Sequence, residues 1–401
     1  MRMRLNKSGQ AWLAALASVG VAGFLSACGT TTADFVYVTS AKAAGTNNYG
    51  QVDVFEVNEE SGRMRQIPTS PFPSGGRNPV SEAVSTDHNN LYVVNRDDNT
   101  IVQFAIGNDG KLYPTSTVNT PGVFPVAASV VGTNLYVADT YQPLPTCSPA
   151  APCAGSVASF PVNTNGTLGT PAVNSALSSS YWPIALPWSP KDVVTPTAIL
   201  ALPSGSAVFV AAYDSTSNAG YVFGFTSSSG VLSPMNGGMP FAAGVNPSGI
   251  AADPTGAYVF VTDSNSADVL VYSVGAGGLS PVSGSPFKAG NKPSSIVIDS
   301  TGKYAYVANS QDSTVTGYTV SSGALTPIAT YATDTQPVAI GIDPSLNQYL
   351  YTANFLANTV SGFQVSSTSG TLFNAQQSPF TSNANPTALA AIPHGSQKKS
   401  Q

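Results

Sequence analysis

A pattern that recurs seven times between residues 35 and 393 constrains the fold more strongly than any other feature of the sequence. Each copy contains an aromatic residue within a short apolar segment, and most copies are about 45 residues long. Short segments in which large and small apolar residues alternate predict β-strands rather than helices. The aromatic residues are Tyr37, Tyr92, Tyr136, Phe209, Phe260, Tyr306 and Tyr351.

Further features accompany the aromatic residue. An apolar residue lies three positions before a second aromatic residue, as at Val315 and Tyr318, and a Gly-x-Leu turn follows in several copies, as at residues 110–112. A proline then begins a segment of small and apolar residues. Seven copies with about four β segments each predict an all-β fold, a seven-bladed β-propeller. The prolines are Pro79, Pro125, Pro196, Pro247, Pro293, Pro337 and Pro386.

The phase of the repeat predicts how the propeller closes. We name the proline segment strand A, the aromatic segment strand B, and the next two segments strands C and D. The repeated region begins with strand B at residues 35–39 and ends with strand A at residues 386–392. Pairing of these two strands would remove the exposed sheet edges of an open array. We therefore expect residues 385–392 to lie beside residues 35–39.

The N-terminal residues have the layout of a bacterial export signal. Basic residues precede an apolar run at residues 11–25, and the tetrapeptide Leu-Ser-Ala-Cys that ends at Cys28 resembles the lipobox, in which cleavage precedes a lipidated cysteine. The alternative is a plain signal peptide with an incidental cysteine. Lipidation predicts an extracytoplasmic protein, in the periplasm or on the cell surface, that is anchored to the membrane. The predicted organisation is a lipoprotein signal peptide (1–27), a lipidated linker (28–34), the propeller (35–393) and a flexible tail (394–401).

Export affects how the charged residues and cysteines are interpreted. Three of the 15 basic residues lie in the signal and all 20 acidic residues lie beyond it, so the mature chain carries 12 − 20 = −8. An acidic chain without basic clusters is a poor candidate for binding nucleic acid. Cys147 and Cys153 most simply form a disulfide in an oxidising compartment. No histidine lies near them and no nucleotide, quinone or flavin fingerprint is present, so we expect no metal and no other cofactor.

Strand direction divides the predicted propeller into two faces. The B–C hairpins and D–A connections emerge on one face, which we call the top, and the A–B and C–D turns emerge on the other, the bottom. His88 falls in an A–B turn and His394 follows the last strand A, so both histidines of the chain are expected at the bottom. The top face is therefore expected to have no histidine.

The repeated strand B resembles that of a known family. The sequence Tyr-Val-Ala-Asn at residues 306–309, with variants at 92–95 and 136–139, is similar to strands of the lactonase-type seven-bladed propellers, a group that includes the propeller-type 6-phosphogluconolactonase. The resemblance covers residues 35–393 and implies a lactone hydrolase. Family enzymes are thought to use His, Arg and carboxylate groups around the top of the channel. Without a top-face histidine, no catalytic set is carried over, and a phosphorylated cytosolic lactone does not suit an exported protein.

The residues that end strand B supply candidate site residues on the top face. Asp139 and Asp263 are candidates for activating a water molecule, and Asn309 and Asn354 are candidates for binding a ligand. The alternative, which we favour, is that these side chains cap tight turns through their own backbone.

A glutamate and two arginines complete the set of charged candidates. Glu82 occupies a position in strand A that is apolar in the other copies. If it is buried, its pKa is raised, which is one property of a functional acid. A local register shift that exposes Glu82 is the alternative. Arg77 and Arg96 lie in top-face connections and are candidates for binding a ligand.

The third copy is the longest, because it has two insertions that we expect on the top face. Residues 140–156 carry the two cysteines, and residues 174–194 contain Tyr181, Trp182 and Trp188. Exposed aromatic residues beside a concave mouth stack on sugar rings or on partner side chains. The alternative is that this insertion packs on itself and covers the channel.

Two functions remain open from the sequence. The first is hydrolysis of a lactone or a small neutral ester, with Asp139, Asp263 or Glu82 as the acid or base. The second is non-catalytic binding of a glycan or an envelope protein through the insertions of the third copy, by Trp182 or Trp188. In both cases we expect a monomer that contacts the membrane through its lipid anchor.

Overall fold

Seven antiparallel sheets of four or five strands form the part of the chain that the computed structural model describes, residues 32–344 and 346–395. We number these sheets blades 1–7 in chain order. The all-β, seven-bladed architecture predicted from the repeat is confirmed. The predicted signal peptide and Cys28 lie outside the described residues.

The strands of the first four blades follow one another along the chain. Blade 1 begins with β1 (Thr32–Ala44), β2 (Tyr49–Asn58), β3 (Met64–Gln66) and β4 (Phe72–Pro73). Blade 2 contains β5 (Pro79–Val84), β6 (Asn90–Asn95), β7 (Thr100–Ile106) and β8 (Leu112–Asn119). Blade 3 contains β9 (Val123–Val131), β10 (Asn134–Tyr141), β11 (Gly155–Pro161) and β12 (Trp182–Ile184). Blade 4 contains β13 (Val194–Ala201), β14 (Ala207–Asp214), β15 (Ala219–Ser228), β16 (Val231–Pro234) and β17 (Phe241–Ala242).

The remaining blades have the same order, and the last strand returns to the first blade. Blade 5 contains β18 (Pro247–Ala252), β19 (Tyr258–Asp263), β20 (Asp268–Gly275), β21 (Gly278–Pro281) and β22 (Phe287–Lys288). Blade 6 contains β23 (Pro293–Ile298), β24 (Tyr304–Asn309), β25 (Thr314–Ser321) and β26 (Ala324–Ala332). Blade 7 contains β27 (Pro337–Ile342), β28 (Tyr349–Asn354), β29 (Thr359–Val365), β30 (Leu372–Asn374) and β31 (Phe380–Thr381), and β32 (Pro386–Pro393) completes blade 1.

Helical structure is limited, within residues 32–344 and 346–395, to a short 3₁₀ helix at Asn236–Gly238. No helix in this part of the chain is long and apolar enough to cross a membrane.

Pairing of the last strand with the first closes the ring, as the phase of the repeat predicts. Strand β32 runs antiparallel to β1, with Ile392 opposite Phe35 and Leu389 opposite Val38. The buried carboxylate of Asp53 in β2 accepts hydrogen bonds from the Ser382 hydroxyl and from the Asn383 backbone, both at 2.7 Å. These contacts position the chain just before it enters β32.

A β-bulge follows the proline of every inner strand. In β5, for example, the pairing with β6 shifts register between Pro79 and Ser81, and the same shift occurs in the other six blades. Proline lacks a backbone N–H, so it is tolerated where a strand begins or bulges. Several bulge residues carry hydroxyl groups that connect neighbouring blades. Ser248 donates to the carbonyl of Pro293 at 2.6 Å, and Ser294 donates to that of Pro337 at 2.8 Å.

Apolar residues between neighbouring blades form the core, and the tyrosines of the B strands lie at its centre. The hydroxyl of Tyr37 donates to the carbonyl of Gly110 in the next blade at 3.1 Å. Tyr92 and Gly166 make the same contact at 2.8 Å. Gly110 has φ +77°, and a Cβ there would lie 2.5 Å from the ring of Phe35, so the turn requires glycine. The aromatic residue and the Gly-x-Leu turn of the repeat are therefore two parts of one contact between blades.

The junction between blades 7 and 1 contains a buried carboxyl group instead of this contact. The hydroxyl of Tyr351 donates to Oδ2 of Asp34 at 3.1 Å, and the Asp34 and Asp343 residues are each 1 % exposed. Burial, together with the nearby Asp343, raises the pKa of Asp34 to about 8. Asp34 is therefore protonated at neutral pH in the folded protein, unlike an aspartate in an unfolded chain.

Replacement of Asp34 by asparagine should make stability less dependent on pH. A carboxyl group with a pKa of about 8 when folded and 3.8 when unfolded contributes stability that is complete below the unfolded value and is lost as the pH rises through the folded value. Asparagine does not titrate. We expect the fall in Tm between about pH 5 and pH 9 to be smaller in Asp34→Asn by roughly 2–6 °C.

The matched control is Glu60→Gln, which removes an exposed carboxylate from the same blade. The control should retain the pH dependence of the wild type. An equal fall in Tm for Asp34→Asn and the wild type would show that Asp34 does not retain its proton in the folded state.

Candidate functional site

A cavity of about 510 Å³ opens at the top ends of blades 5, 6 and 7. We call it the mouth pocket. Its lining consists mainly of hydroxyl and amide side chains, with one cation, Lys292, and it contains neither a carboxylate nor a histidine. The serine and glutamine residues of the lining are Ser248, Ser264, Ser294, Ser310, Ser313, Gln311 and Gln336.

The repeat positions the residues of this pocket through one backbone hydrogen bond. The residue after strand B donates its N–H to the carbonyl of the residue before the inner-strand proline, and we call these two positions the rim positions. Ser310 donates in this way to Lys292 at 2.9 Å, and Ser264 donates to Asn246 at 2.9 Å. Arg96 makes the same contact with Asn78 in blade 2 at 3.0 Å. The hydroxyls of Ser310 and Ser264 donate to the same two carbonyls, at 2.9 and 3.1 Å. Each of these blades therefore presents two rim side chains on the top face, and the backbone hydrogen bond between them does not depend on which side chains they are.

In five blades the rim residue before the proline has a left-handed backbone conformation, with a positive φ. Positive φ is uncommon for residues other than glycine and is concentrated at functional sites. Lys292 and Gln336, both in the mouth pocket, have φ values of 52° and 60°. The five residues are Asn78, Phe124, Lys292, Gln336 and Asn385.

Lys292 is the charged group of the mouth pocket. Its Nζ donates to Oδ1 of Asn265 at 2.7 Å, and the residue is exposed. Among the described residues, no carboxylate forms an ion pair with it. Its charge is therefore accessible to a ligand with a partial or full negative charge.

The two aspartates proposed as catalytic residues occupy equivalent positions but differ in environment. Asp263 accepts backbone hydrogen bonds from Val245 at 2.6 Å and Asn246 at 3.0 Å, and these outweigh burial and lower its pKa. Asp139 accepts one from Gly122 at 3.2 Å, and its Oδ1 has no partner in the described part of the chain. Burial raises the pKa of Asp139 to about 7. Both side chains are fully buried and neither lines the mouth pocket.

The two asparagines proposed as ligand-binding residues hold the top-face connections. Oδ1 of Asn309 accepts a hydrogen bond from the Gly290 backbone at 3.1 Å, and its Nδ2 donates to Thr316 at 2.9 Å. Nδ2 of Asn354 donates to the hydroxyl of Ser361 at 2.9 Å. Both asparagines are 0 % exposed, and these contacts join strand B to the D–A connection and to strand C rather than to the backbone of their own turn. Their predicted role in ligand binding stays a prediction.

Glu82 retains the register of the other inner strands and is buried. It lies opposite Val93, as Ile250 lies opposite Val261, so the register shift that we considered does not occur. Although part of the residue is exposed, its carboxyl group is buried: Oε2 accepts a hydrogen bond from the hydroxyl of Thr39, and Oε1 has no hydrogen-bond partner in the described part. Burial raises the pKa of Glu82 to about 8 despite the hydrogen bond from Thr39.

The two arginine candidates differ in whether they are paired. Arg77 forms an ion pair with Asp98, with 2.5 Å between Nη2 and Oδ1. The guanidinium of Arg96 lies over the ring of Phe124, 5.5 Å from its centroid, and forms no ion pair with a described carboxylate.

The insertions of blade 3 lie partly where the sequence suggested. Cys147 and Cys153 form the predicted disulfide, with sulfur atoms 2.09 Å apart. The segment 174–194, however, does not form one lobe on the top face, because its middle pairs with β11 as the outer strand β12. Trp182 in that strand is 3 % exposed and packs between blades 3 and 4. Trp188 is 55 % exposed and contacts the ring of Tyr221, but neither tryptophan lines the mouth pocket.

Comparison with known proteins identifies similar folds. The sequence matches a family described as "Lactonase, 7-bladed beta-propeller" over residues 36–175 and 189–396. The fold is similar to that of a candidate 6-phosphogluconolactonase from Bacteroides fragilis, with 18% identity, a TM-score of 0.71, and coverage of 91% of this chain and 99% of that one. It is also similar to a periplasmic gluconolactonase from Pseudomonas aeruginosa, with 18% identity, a TM-score of 0.70, and coverage of 90% and 99%. No curated protein matches the sequence significantly.

Replacement of Glu82 by glutamine separates a structural role from a catalytic one. Glutamine can still accept the hydrogen bond from Thr39 but does not ionise. The unfolded glutamate loses its proton above about pH 4.5, whereas the folded one keeps it up to about pH 8, so the wild type loses stability across this range. We therefore expect Glu82→Gln to change Tm little at pH 5 and to raise it increasingly up to pH 8, with the full difference retained at pH 9. Lactone turnover should persist if the role is structural.

A second variant, Asp263→Asn, should change Tm in the opposite direction. Asp263→Asn removes a carboxylate whose pKa is lowered by backbone donors, so it should lower Tm at neutral pH.

The outcome that contradicts a structural role for Glu82 is loss of lactone turnover in Glu82→Gln while the fold stays intact. That result would assign Glu82 to catalysis.

Proposed function

Because the chain belongs to the family of seven-bladed lactonases, we propose that its mouth pocket binds a small hydroxylated lactone and promotes hydrolysis of the ring. The observation that carries this proposal is a polar lining around one accessible cation, Lys292. Small-molecule sites commonly have volumes of about 300–1,000 Å³, and the pocket falls within this range. Serine hydroxyls and glutamine amides are suitable partners for the hydroxyl groups of a sugar lactone.

Lys292 has a specific role in the proposed reaction. A hydroxide ion from solvent attacks the carbonyl carbon, and the carbonyl oxygen becomes negatively charged. The carbonyl then re-forms, the ring C–O bond breaks, and the departing ring oxygen takes a proton from water, which gives the open-chain hydroxy acid as its carboxylate. A positioned cation stabilises the charge that develops on the oxygen. Among the described residues, the lining includes no histidine or carboxylate that could deprotonate water, so the proposal takes hydroxide from solvent as the nucleophile. The catalytic roles considered for Asp139, Asp263 and Glu82 are not part of this proposal and stay hypotheses.

Replacement of Lys292 by methionine tests the proposed site. The variant keeps an unbranched apolar stem but loses the charge, so kcat/KM for gluconolactone should fall on the order of 100-fold. The measurement is the release of acid in a pH-stat, with the spontaneous rate subtracted. The matched control is Lys303→Met, an exposed lysine in the bottom A–B turn of blade 6, which should retain wild-type activity.

Two results would count against the proposal. Equal activity of Lys292→Met and the wild type would mean that the reaction occurs elsewhere on the protein. The absence of turnover for a panel of lactones would reject hydrolysis altogether.

Non-catalytic binding is the second candidate function, and the exposed ring of Trp188 favours it. This side chain is 55 % exposed on the outer side of blade 3, where it contacts Tyr221 edge to face. An exposed tryptophan is a suitable platform for a sugar ring or a partner side chain. Glycan binding that is lost in Trp188→Ala, in a protein that hydrolyses no lactone, would favour this function over the first.

The location outside the cytoplasm is part of the proposal. The lipobox-like sequence at Cys28 supports export and lipid anchoring. The disulfide between Cys147 and Cys153 also supports it, because disulfides persist in oxidising compartments.

Replacement of Cys28 by alanine tests the anchor. The wild-type chain should incorporate labelled palmitate and partition into the detergent phase with the membranes, whereas Cys28→Ala should do neither, because it lacks the thiol that is acylated. Cys147→Ala removes a cysteine without affecting the lipobox, so this control should still be labelled. Labelling of Cys28→Ala at the wild-type level would contradict the assignment.

A further inference from the structure

We propose that Arg96, Phe124 and Tyr141 form a second wall of the channel mouth, which binds a ring-shaped ligand that carries a carboxylate or another anionic group. The inference rests on the proposed function and specifies it, because it predicts that the preferred lactone has an acidic substituent. The three residues come from blades 2 and 3, whereas the mouth pocket is lined by blades 5, 6 and 7.

The backbone of Phe124 is held in an unusual conformation. Its φ is 56°, which is rare for a bulky side chain. Its N–H donates to Oδ1 of Asn99 at 2.6 Å, and its carbonyl accepts a hydrogen bond from the hydroxyl of Thr140 at 2.7 Å. Side chains from two blades therefore fix this residue from both sides. Strained residues that the surroundings hold in this way are concentrated at sites that bind ligands.

The left-handed backbone alone does not account for an aromatic side chain at this position. Asn78 and Asn385 occupy the equivalent position in two other blades with φ values of 50° and 61°. Asparagine tolerates this conformation better than phenylalanine does. The large ring of Phe124 therefore calls for a second explanation, and contact with a ligand at the mouth provides one.

The repeat assigns Arg96 and Phe124 to the channel mouth. Arg96 is the rim residue after strand B of blade 2, and Phe124 is the rim residue before the proline of blade 3. In blade 6 the same two positions are occupied by Ser310 and Lys292, which both line the mouth pocket. Since the backbone hydrogen bond at these positions is the same in blades 2 and 6, the rim positions of these blades lie on the same, top face of the ring.

Arg96 is prepared to bind an anion. Its guanidinium lies 5.5 Å from the centroid of Phe124, a cation–π contact that restrains the side chain. The neighbouring Arg77 is already paired with Asp98, but Arg96 has no such partner among the described carboxylates. A planar guanidinium binds a carboxylate through two parallel hydrogen bonds.

Tyr141 extends the aromatic surface, and the disulfide restrains it. The rings of Phe124 and Tyr141 meet at 68° with centroids 6.2 Å apart. Tyr141 begins the B–C hairpin of blade 3, in which Gln142 donates its backbone N–H to the carbonyl of Ala154 at 3.1 Å next to the Cys147–Cys153 disulfide. A restrained aromatic surface loses little entropy when a sugar ring stacks on it.

Two lactones that differ in one charged group test the inference. Gluconolactone is neutral, whereas glucarolactone has an additional carboxylate. We expect the wild type to prefer glucarolactone in kcat/KM by roughly 10- to 100-fold, which is the effect of a charged hydrogen-bonded pair. Arg96→Gln should abolish this preference, and the measured quantity is the ratio of kcat/KM for the two lactones in each variant. Arg77→Gln, which removes the paired arginine of the same blade, should keep the preference.

A second variant tests the aromatic surface. Phe124→Asn introduces the residue that the equivalent left-handed positions tolerate, so the fold should persist. Loss of stacking should weaken binding of both lactones by roughly 2- to 10-fold. Unchanged kinetics in Arg96→Gln and Phe124→Asn, or equal effects of Arg77→Gln and Arg96→Gln, would overturn the inference.

Calorimetric titration with glucarate, which has no ring to hydrolyse, distinguishes this inference from the proposed function. Glucarate binding that is lost in Arg96→Gln, in a protein without turnover, would support the anion site and reject the hydrolase. Turnover of gluconolactone without a preference for the acidic lactone, and without glucarate binding, would support the hydrolase and reject the anion site.

Discussion

The packing of the central aromatic residue of each B strand against the next blade is the interaction that joins the blades, and at three junctions a tyrosine hydroxyl also donates to the carbonyl of the glycine turn. A buried tyrosine hydroxyl without a partner destabilises a core, and the carbonyl of Gly110 supplies that partner for Tyr37. The glycine also has the positive φ that the turn requires. Where the ring closes, Tyr351 instead donates to the carboxyl group of Asp34. The closing junction is therefore the one tyrosine contact of this kind, among the described blades, in which a titratable side chain replaces a backbone carbonyl.

The fold was predictable because the features that build blades are local and repeat seven times. The aromatic strand, the glycine turn and the proline strand each appear in short segments, and the phase of the repeat alone indicates that β32 joins β1. The bulge after each proline was missed, because one extra residue such as Ser248 leaves the apolar pattern of the strand intact. The outer strand containing Trp182 was also missed, since three residues are too few to show alternation.

The candidate site was less predictable, because the environment of a polar residue depends on contacts that are distant in sequence. Asp139 and Asp263 end equivalent strands, yet their pKa values shift in opposite directions because the number of backbone donors around each carboxylate differs. The position of Glu82 in an apolar column left burial and exposure by a register shift both open, and neither its retained register nor its bond to Thr39 could be read from the sequence. The position of Lys292 directly before Pro293 becomes informative only when the residues before all the inner-strand prolines are compared as a set.

The side chains that stabilise the propeller differ from the side chains that we propose to contact a ligand. Buried polar side chains such as Asp263 and Asn309 accept hydrogen bonds from backbone N–H groups, so we expect their replacement to lower the stability of the fold before it changes ligand binding. The rim residues are held by backbone hydrogen bonds, so their side chains differ from blade to blade without loss of those bonds: Asn78, Phe124, Lys292 and Gln336 occupy one equivalent position. The repeat that the family shares therefore constrains the ring, whereas the side chains at the rim positions are free to vary, and in our proposal they select the ligand. The rim combines the ring of Phe124 with two cations, Arg96 and Lys292, that form no ion pair with a described carboxylate, and this combination supports the proposed acidic sugar ligand.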